Sequence, residues 1–563
     1  MKEHKGDTTG IPHRDKLITR WGALQSERSS WFSHWKDISD HLLPRSGRFF
    51  LTDQNRGEKR HNNIYDSTGT RALRVLAAGM MAGMTSPARP WFRLSTADAE
   101  LAKYAPVKLW LADVSRKMLD IFARGNTYRA LHSMYEELGA FGTGASIVLP
   151  DFKDVLRQYP LTTGEYAIAT DHRGQVSTLY REFQKTVHEL VGEFGRDNVS
   201  RTVRDLFDRG SLDTWVPVIH AIEPRADRDT RKSDSKNMAW KSCYFEPGAE
   251  HGKYLRESGF KEFPALCPRW ATSGGDIYGN SPGMEALGDI KQLQHEQLRK
   301  AHGIDYQTKP PLQVPLAMKN HEVDMLPGGI SYVDVNSPSG GIKSAFEVNL
   351  RMDHLLEDIR DVRERIKGSF YADLFLMLAN QTDARMTATE VAERHEEKLL
   401  MLGPVLERLH NELLDPLIEM TFSRMLEAGI VPPPPEELQG QDLNVEFVSM
   451  LAQAQRAVGT NSTDRFVNSL GAVATFKPDV LDKFDSDKWA DAYSDMLGVD
   501  PQLIVPADGV ALIRKQRADA AAQQQQMAML QQGADAAKNL ASAKTAEPSA
   551  LTNVIDMFSG YNT

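Results

Sequence analysis

The chain has 563 residues, 67 Lys and Arg against 76 Asp and Glu, a formal net charge of −9, and 41% hydrophobic side chains. This is ordinary globular composition with room for about three or four domain-sized units, and its negative sign excludes a general electrostatic adhesion to nucleic acid. No apolar run reaches the roughly 18 to 20 residues of a membrane span and the opening MKEHKGD lacks a signal-peptide core, so a cytosol-like compartment with no membrane partner is expected.

Residues 14–43 read as an amphipathic helix, because Leu17, Trp21, Leu24, Trp31, Trp35, Ile38 and Leu42 fall near one face and Pro44 closes it. Three tryptophans on one face are expected in a core rather than stacked on a ligand. Residues 72–84 form a small-residue helix in which Gly79 and Gly83 allow close backbone approach; Arg71 and Arg74 beside it point to tight packing in water rather than a membrane dimer. Residues 106–141 read as one or two helices around Leu111, Met118, Leu131 and Leu138, followed by a strand at 147–149. The glycines between them, Gly139, Gly142 and Gly144, lack the Lys-Ser/Thr of a phosphate loop and stand before a strand rather than after one, which argues against a nucleotide site.

Strands are expected at 165–170, 176–183, 215–222 and 238–245. Between them, Thr186 and Glu189 make a capping box that opens a helix closed by Gly195. The N-terminal half is therefore α+β, helices first and strands later.

The stretch 281–428 organises the rest. Met284, Leu287, Ile290, Leu293 and Leu298 stripe a helix at 283–302, and Leu355, Ile359, Val362 and Ile366 stripe another at 350–379. Between them, 306–349 carries Pro310, Pro311, Pro315, Pro327, Gly328, Gly329, Gly340 and Gly341 with short β-type runs. It is either a small strand-bearing module on two helical legs or a long hairpin loop of a helical enzyme. Thr387 with Glu390 then opens a third helical run to residue 428, roughly 60 Å long at about 1.5 Å per residue, which Pro404 and Pro416 are expected to kink. After the tetraproline Pro432–Pro435, residues 447–500 read as short helices. Residues 511–543, with 11 alanines and 7 glutamines, are helical only when packed against copies or a partner, or else disordered.

A search for chemistry returns no catalytic, cofactor or metal constellation. HExxH, GxSxG and a Walker lysine are absent, and Cys243 and Cys267, with no CxxC partner, are expected to be buried free thiols. The run 387–428 has nine acidic against four basic side chains, among them Glu390, Glu393, Glu396 and Glu397: a wet helix face, or an acidic wall facing a polyanion. In 350–367 the charges alternate, Asp361 with Arg365, Glu357 with Arg360 and Glu364 with Lys367 standing at helical neighbour spacings. Such pairs add only tenths of a kcal/mol within one helix but could set register between copies, so Glu357, Arg360, Asp361 and Arg365 are candidate subunit-interface residues.

Several strings, in order, resemble bacteriophage portal proteins, the head-to-tail connectors of short-tailed, podovirus-type phages. They are WKDISDHLLPRSG over 35–47, YDSTG over 65–69 leading to AAGM over 77–80, SPARPWF over 86–92, GNSPGMEALGDIK over 279–291 and MTATEV over 386–391. The resemblance spans about 30–430. It implies a mainly helical α+β fold of portal type: a wing over 1–280, a stem helix over 281–305, a strand-bearing clip over 306–349 and a second stem helix over 350–379. A tunnel loop over 380–386, more wing over 387–470, and a helical crown with its Ala/Gln-rich tail over 471–563 complete it. By the same resemblance the chain forms a ring, typically of twelve copies, at one vertex of the virion capsid, assembled in the host cytoplasm. Double-stranded DNA is packaged through the ring by a separate terminase and later ejected. Partners would include a tail adaptor, the major capsid protein and scaffolding protein, and Asn380, Gln381, Thr382, Asp383 and Arg385 would be the DNA-channel candidates. No catalytic role, cofactor or metal is expected. The alternative is a nucleic-acid processing enzyme or assembly factor whose site is too dispersed to see.

Overall fold

The first helix, α1 (His13–His41), forms along the tryptophan stripe and buries Leu17, Trp21, Leu24, Trp35 and Ile38, with Trp31 half-buried. In the computed structural model the described residues are 13–51, 57, 59–98, 101, 104–249, 253–313, 319, 343–344, 353–379, 401–441, 443–449, 451, 466–497, 505 and 507–542.

Helix α2 (Thr68–Met84) is the centre of the largest core. Its small residues do what their spacing predicts: a Cβ on Gly79 would collide with the ring of Phe375, and one on Gly83 would stand 2.8 Å from the Leu451 side chain. The 106–141 region is two helices, α3 (Ala105–Arg124) and α4 (Thr127–Phe141). The break at Gly125-Asn126 is stabilised by the Asn126 side chain, which donates to the Gln158 carbonyl at 2.7 Å and accepts from the Gln158 N–H at 3.0 Å. Gly142, at φ +78°, ends α4 in the left-handed region, where glycine carries no Cβ penalty, and its carbonyl takes the Trp270 N–H at 2.9 Å. The glycine cluster is thus used for packing.

Two antiparallel sheets follow. β2 (Ala145–Asp151) lies between β3 (Val155–Leu161) and the short β9 (Ala265–Leu266). The larger sheet is a meander of β4 (Tyr166–Thr170), β5 (Val176–Thr186), β6 (Trp215–Pro224), β7 (Trp240–Phe245) and β8 (Arg256–Phe260). The N-terminal half of α1 packs on it, Leu17, Trp21 and Leu24 meeting Tyr180, Ile219, Cys243 and Phe245. Both cysteines are free and buried. The capping box forms: Thr186 Oγ1 accepts from the Glu189 N–H at 3.3 Å while the Glu189 carboxylate accepts from the Thr186 N–H at 3.0 Å, opening α5 (Val187–Phe194). α6 (Arg201–Asp208), capped by Ser200, and strands β3, β8 and β9 lie outside the sequence-based expectation.

A further strand pair ties distant parts of the chain. β1 (Phe92–Thr96) runs antiparallel to β12 (Leu443–Phe447), with Phe92 opposite Phe447 and Thr96 opposite Leu443. The sequence reading places no strand at either end of this pairing.

The 281–428 stretch keeps its three helical runs but not their continuity. A turn at Pro282–Glu285, capped by the Ser281 hydroxyl, precedes α7 (Leu287–Thr308). The single helix expected over 350–379 is two, α8 (Asp353–Ser369) and α9 (Ala372–Ala379), because Tyr371 stands at φ +53° between them and interrupts the helical backbone. The third run is described from 401; Thr387, Glu390 and the rest of 387–400 lie outside the described residues. Its irregularity falls just before Pro416. Residues His410–Leu414 form a π-turn in which the Asp415 N–H bonds the His410 carbonyl, and α10 (Asp415–Glu427) follows. A proline removes one helical donor and crowds the carbonyl four residues back, and widening the preceding turn relieves that crowding.

Beyond the β1–β12 pair, α11 (Ser486–Leu497) and α12 (Ala507–Ser542) are helical. Every described side chain of α12 from 511 onward is exposed, Met527, Met529 and Leu530 among them.

Candidate functional site

Helices α7 and α8 lie side by side as two legs, and both are rooted in α2. Leu287, Ile290 and Leu293 of one leg and Ile359, Val362 and Ile366 of the other are buried in the same core as Leu73, Leu76 and Ala77. Gly69 permits this approach: a Cβ there would already touch Leu42 and Ile290 at 3.2–3.3 Å.

The root is tied by one carboxylate. Asp66 Oδ1 accepts from the Thr68 N–H at 2.8 Å and the Thr68 hydroxyl at 2.5 Å, fixing the start of α2. Its Oδ2 accepts from Arg363 of α8, Nη2 at 2.7 Å and Nε at 3.1 Å, and from Gln297 Nε2 of α7 at 3.1 Å. Gln294 completes the knot: its Oε1 accepts from the N–H groups of Tyr65 and Asp66, and its Nε2 donates to the Asp66 carbonyl at 2.9 Å. Burial pushes the Asp66 carboxyl up, but the hydrogen bonds from Thr68 and Arg363 outweigh it and hold the group below the ordinary carboxylate range. Asp66 belongs to the YDSTG string. Nothing in the sequence marks Arg363, Gln294 or Gln297 as its partners, because their meeting depends on how the legs dock.

Beyond the end of α7 the chain pairs with a later segment. β10 (Leu312–Gln313) pairs antiparallel with β11 (Lys343–Ser344), Leu312 opposite Ser344, so the chain leaving α7 and the chain returning to α8 are in register where the intervening segment begins. Most of 306–349 lies outside the described residues, as do Asn380, Gln381, Thr382, Asp383 and Arg385.

Glu357, Arg360, Asp361 and Arg365 are all exposed on α8. Arg365 is engaged within its own chain, donating to Asp361 Oδ2 at 2.9 Å and across to Asp289 Oδ1 of α7 at 3.0 Å. Glu364 takes Lys367 at 2.7 Å. The legs are therefore cross-braced by charge on one side and sealed by apolar packing on the other. Of the acidic residues of 387–428, Glu412 is bonded to Arg269 and largely buried, so it braces the fold, while Glu427 pairs with Lys261 and Arg424 at the exposed surface. Glu390, Glu393, Glu396 and Glu397 lie outside the described residues. Among the described residues no group of three or more His, Cys, Asp or Glu could hold a metal ion, and no helix is long and apolar enough to cross a membrane.

The sequence model of the family described as "Bacteriophage head to tail connecting protein" matches residues 14–505. The chain belongs to this family. Among curated relatives, the "Probable portal protein" of Bordetella phage BPP-1 is 70% identical over 548 residues, 97% of this chain and 99% of that one. The "Portal protein" of Salmonella phage epsilon15 is 47% identical over 542 residues, 96% of this chain and 98% of that one. A chain from the "Neck of empty GTA particle computed with C6 symmetry" aligns over 80% of this chain and 96% of its own length at 12% identity, with a TM-score of 0.36, a likeness too weak to carry an inference. Head-to-tail connectors of this family are virion components, and the doubly rooted pair of legs is the feature of this chain that its connector role has to explain.

Proposed function

We propose that copies of this chain close into a ring, the portal of a tailed phage, at one capsid vertex, and that double-stranded DNA enters and leaves the head through its bore. The near full-length identity of 70% to a chain named as a probable portal protein carries this reading. The geometry agrees with it: two legs held by a shared carboxylate at the root, and a strand pair beyond the end of α7, support a stem of 281–305 and 350–379 ending in a clip over 306–349. On this reading the α+β half and 387–470 are wing, 380–386 is the tunnel loop and 471–563 is the crown. The ring has twelve copies, assembled in the host cytoplasm with capsid and scaffolding proteins. The clip receives first the terminase and then the tail adaptor. The chain contributes a channel and no catalysis; a net charge of −9 suits a bore along which a polyanion must slide.

Negative-stain imaging of the purified protein tests this. Rings with a central hole are expected, and compact monomers at micromolar concentration by imaging and ultracentrifugation would overturn it.

A further inference from the structure

A closed ring is built from heterologous contacts, so each copy must carry two different patches that fit one another. The β2–β3 hairpin carries one candidate at its tip and leads to the other at its base. At the tip, residues Phe152 to Asp154 form the turn, and the Phe152 side chain is fully exposed. A lone exposed apolar residue is ordinary, but this one is held up by a stiff and strained turn. Asp151 Oδ1 accepts from the N–H groups of Lys153 and Asp154 at 2.8 and 2.9 Å. Val155, a β-branched residue, stands at φ +68°, with the Leu156 N–H reaching back to the Asp154 carbonyl at 2.8 Å. That is the rare γ-turn, costly for a side chain branched at Cβ, and such strain persists where a conformation has a use.

The hairpin's other end leads into a cleft of about 590 Å³ lined by Trp21, Arg28, Phe32, Arg48, Phe50 and Trp215, together with Gly164 and Glu165 just beyond β3. Its floor is fixed. Arg28 donates to the Gly164 carbonyl at 3.0 Å and to the Tyr166 carbonyl at 2.5 Å, with its guanidinium over the rings of Trp21 and Phe32 at 5.6 and 5.5 Å. Its rim is open, with Phe50, Leu51 and Trp215 exposed and Arg48 half exposed beside Glu165 at 3.6 Å. The volume lies in the range of sites that take a small ligand or the tip of a turn. Register places Asp151 opposite Val155 at the tip and Ala145 opposite Leu161 at the base, so roughly 20 Å of paired strand separates Phe152 from the cleft. No copy can fill its own cleft.

We propose that Phe152 of one copy seats in the Trp21–Phe32–Phe50 cleft of the next copy around the ring. This rests on the ring reading above. The occupant is a second copy because the key and the recess lie at opposite ends of one rigid hairpin, which is head-to-tail geometry. The lining is electrically mixed, with Arg48 3.6 Å from Glu165 and Glu182 beside them, so the fit rests on the aromatic contact rather than on charge. An aromatic side chain entering an aromatic recess beside a buried guanidinium makes the kind of well-packed, desolvated contact on which interface energy concentrates.

The test uses the full chain bearing Phe152→Cys and Phe50→Cys together, treated with a short bis-maleimide linker; Cys243 and Cys267 are buried and leave the background silent. The double variant is expected to give a ladder of linked oligomers, and a co-assembled mixture of the two single variants to give dimers only. Phe152→Asp, at a position exposed in the single chain, is expected to leave the melting of the monomer unchanged and to raise the half-assembly concentration at least about tenfold. Rings that form yet give no ladder, or an unchanged half-assembly concentration for Phe152→Asp, overturn the pairing while the ring stands. A wild-type chain that forms no ring overturns both.

Discussion

Arg269 holds Glu412 by two parallel hydrogen bonds, Nη2 to Oε1 at 2.6 Å and Nε to Oε2 at 3.2 Å, while its backbone N–H reaches Oε2 at 2.9 Å. The same guanidinium donates to the Gly174 carbonyl at 2.7 Å. Arg269 follows the β2–β9 sheet, Gly174 lies in the β4–β5 turn and Glu412 sits in the π-turn ahead of Pro416, so one ion pair clamps three parts of the chain together. The Arg269 side chain is 5% exposed and that of Glu412 16%, and apart from Arg269 the carboxylate has a long contact to Arg408 at 3.4 Å, so removing the Arg269 side chain leaves a largely dry carboxylate with one weak charged partner.

Arg269→Ala is therefore expected to cost about 3–5 kcal/mol in chemical denaturation, and Arg269→Lys to recover only part, since an ammonium cannot form the planar fork. Replacing both members by Met is expected to cost less than either single change. Single variants as stable as wild type would show that the clamp is idle.

The leg root gives a second expectation. Asp66→Asn keeps the shape of the knot but removes the charge that Arg363 pairs with, so about 1–3 kcal/mol should be lost at pH 7, with faster amide exchange in both α7 and α8. Because the folded Asp66 carboxyl titrates below its unfolded value, its stabilisation is present above about pH 4 and is lost as pH falls through the lower folded value. The gap between variant and wild type should close in that acid window. A gap that persists there would place the effect in packing rather than in charge.

How much of this was legible beforehand follows from the range of each interaction. The α1 stripe, the Thr186–Glu189 box and the close packing at Gly79 and Gly83 are local patterns, and the structure carries all of them. The Tyr371 break was hidden because residues 353–379 keep a helical apolar period across it, and only the docking of Phe375 against Gly79 reveals why α9 turns away. β1 and β12 were missed for another reason: five-residue strands joined across some 350 positions have no local signature. The Asp66 knot and the Arg269–Glu412 clamp share that blindness, being pairs of ordinary charged residues that only the tertiary fold brings together.

Glu137 supplies a pH signature of opposite sign. It is buried in α4, and its carboxylate accepts from the Thr162 hydroxyl at 2.7 Å and from the N–H and hydroxyl of Thr163 at 3.0 and 3.1 Å. Burial outweighs these bonds and pushes the group up to about 7. A raised carboxyl stabilises the fold fully below its unfolded value near pH 4.5 and loses that contribution as pH rises through about 7. Relative to Glu137→Gln, wild type should thus lose about 1.4 kcal/mol per pH unit across that window and no more above it. Thermal melts of the pair from pH 4.5 to 8 check this, and parallel curves would mean that Glu137 stays ionised in the fold.

The last expectation concerns the proposed bore. A conduit must let DNA slide, and every salt-dependent phosphate contact adds friction, so few cations should face the duplex. In the proposed tunnel loop, Asn380, Gln381 and Thr382 offer neutral, exchangeable contacts, Asp383 repels phosphate and Arg385 is the residue able to pair with it. Arg385→Glu should then assemble rings indistinguishable from wild type in negative stain while reducing the amount of DNA packaged or its retention in filled heads. Equal packaging and retention would remove this loop from the mechanism. Tight binding of duplex DNA by wild-type rings at low salt would instead count against the non-adhesive channel, whatever Arg385 does.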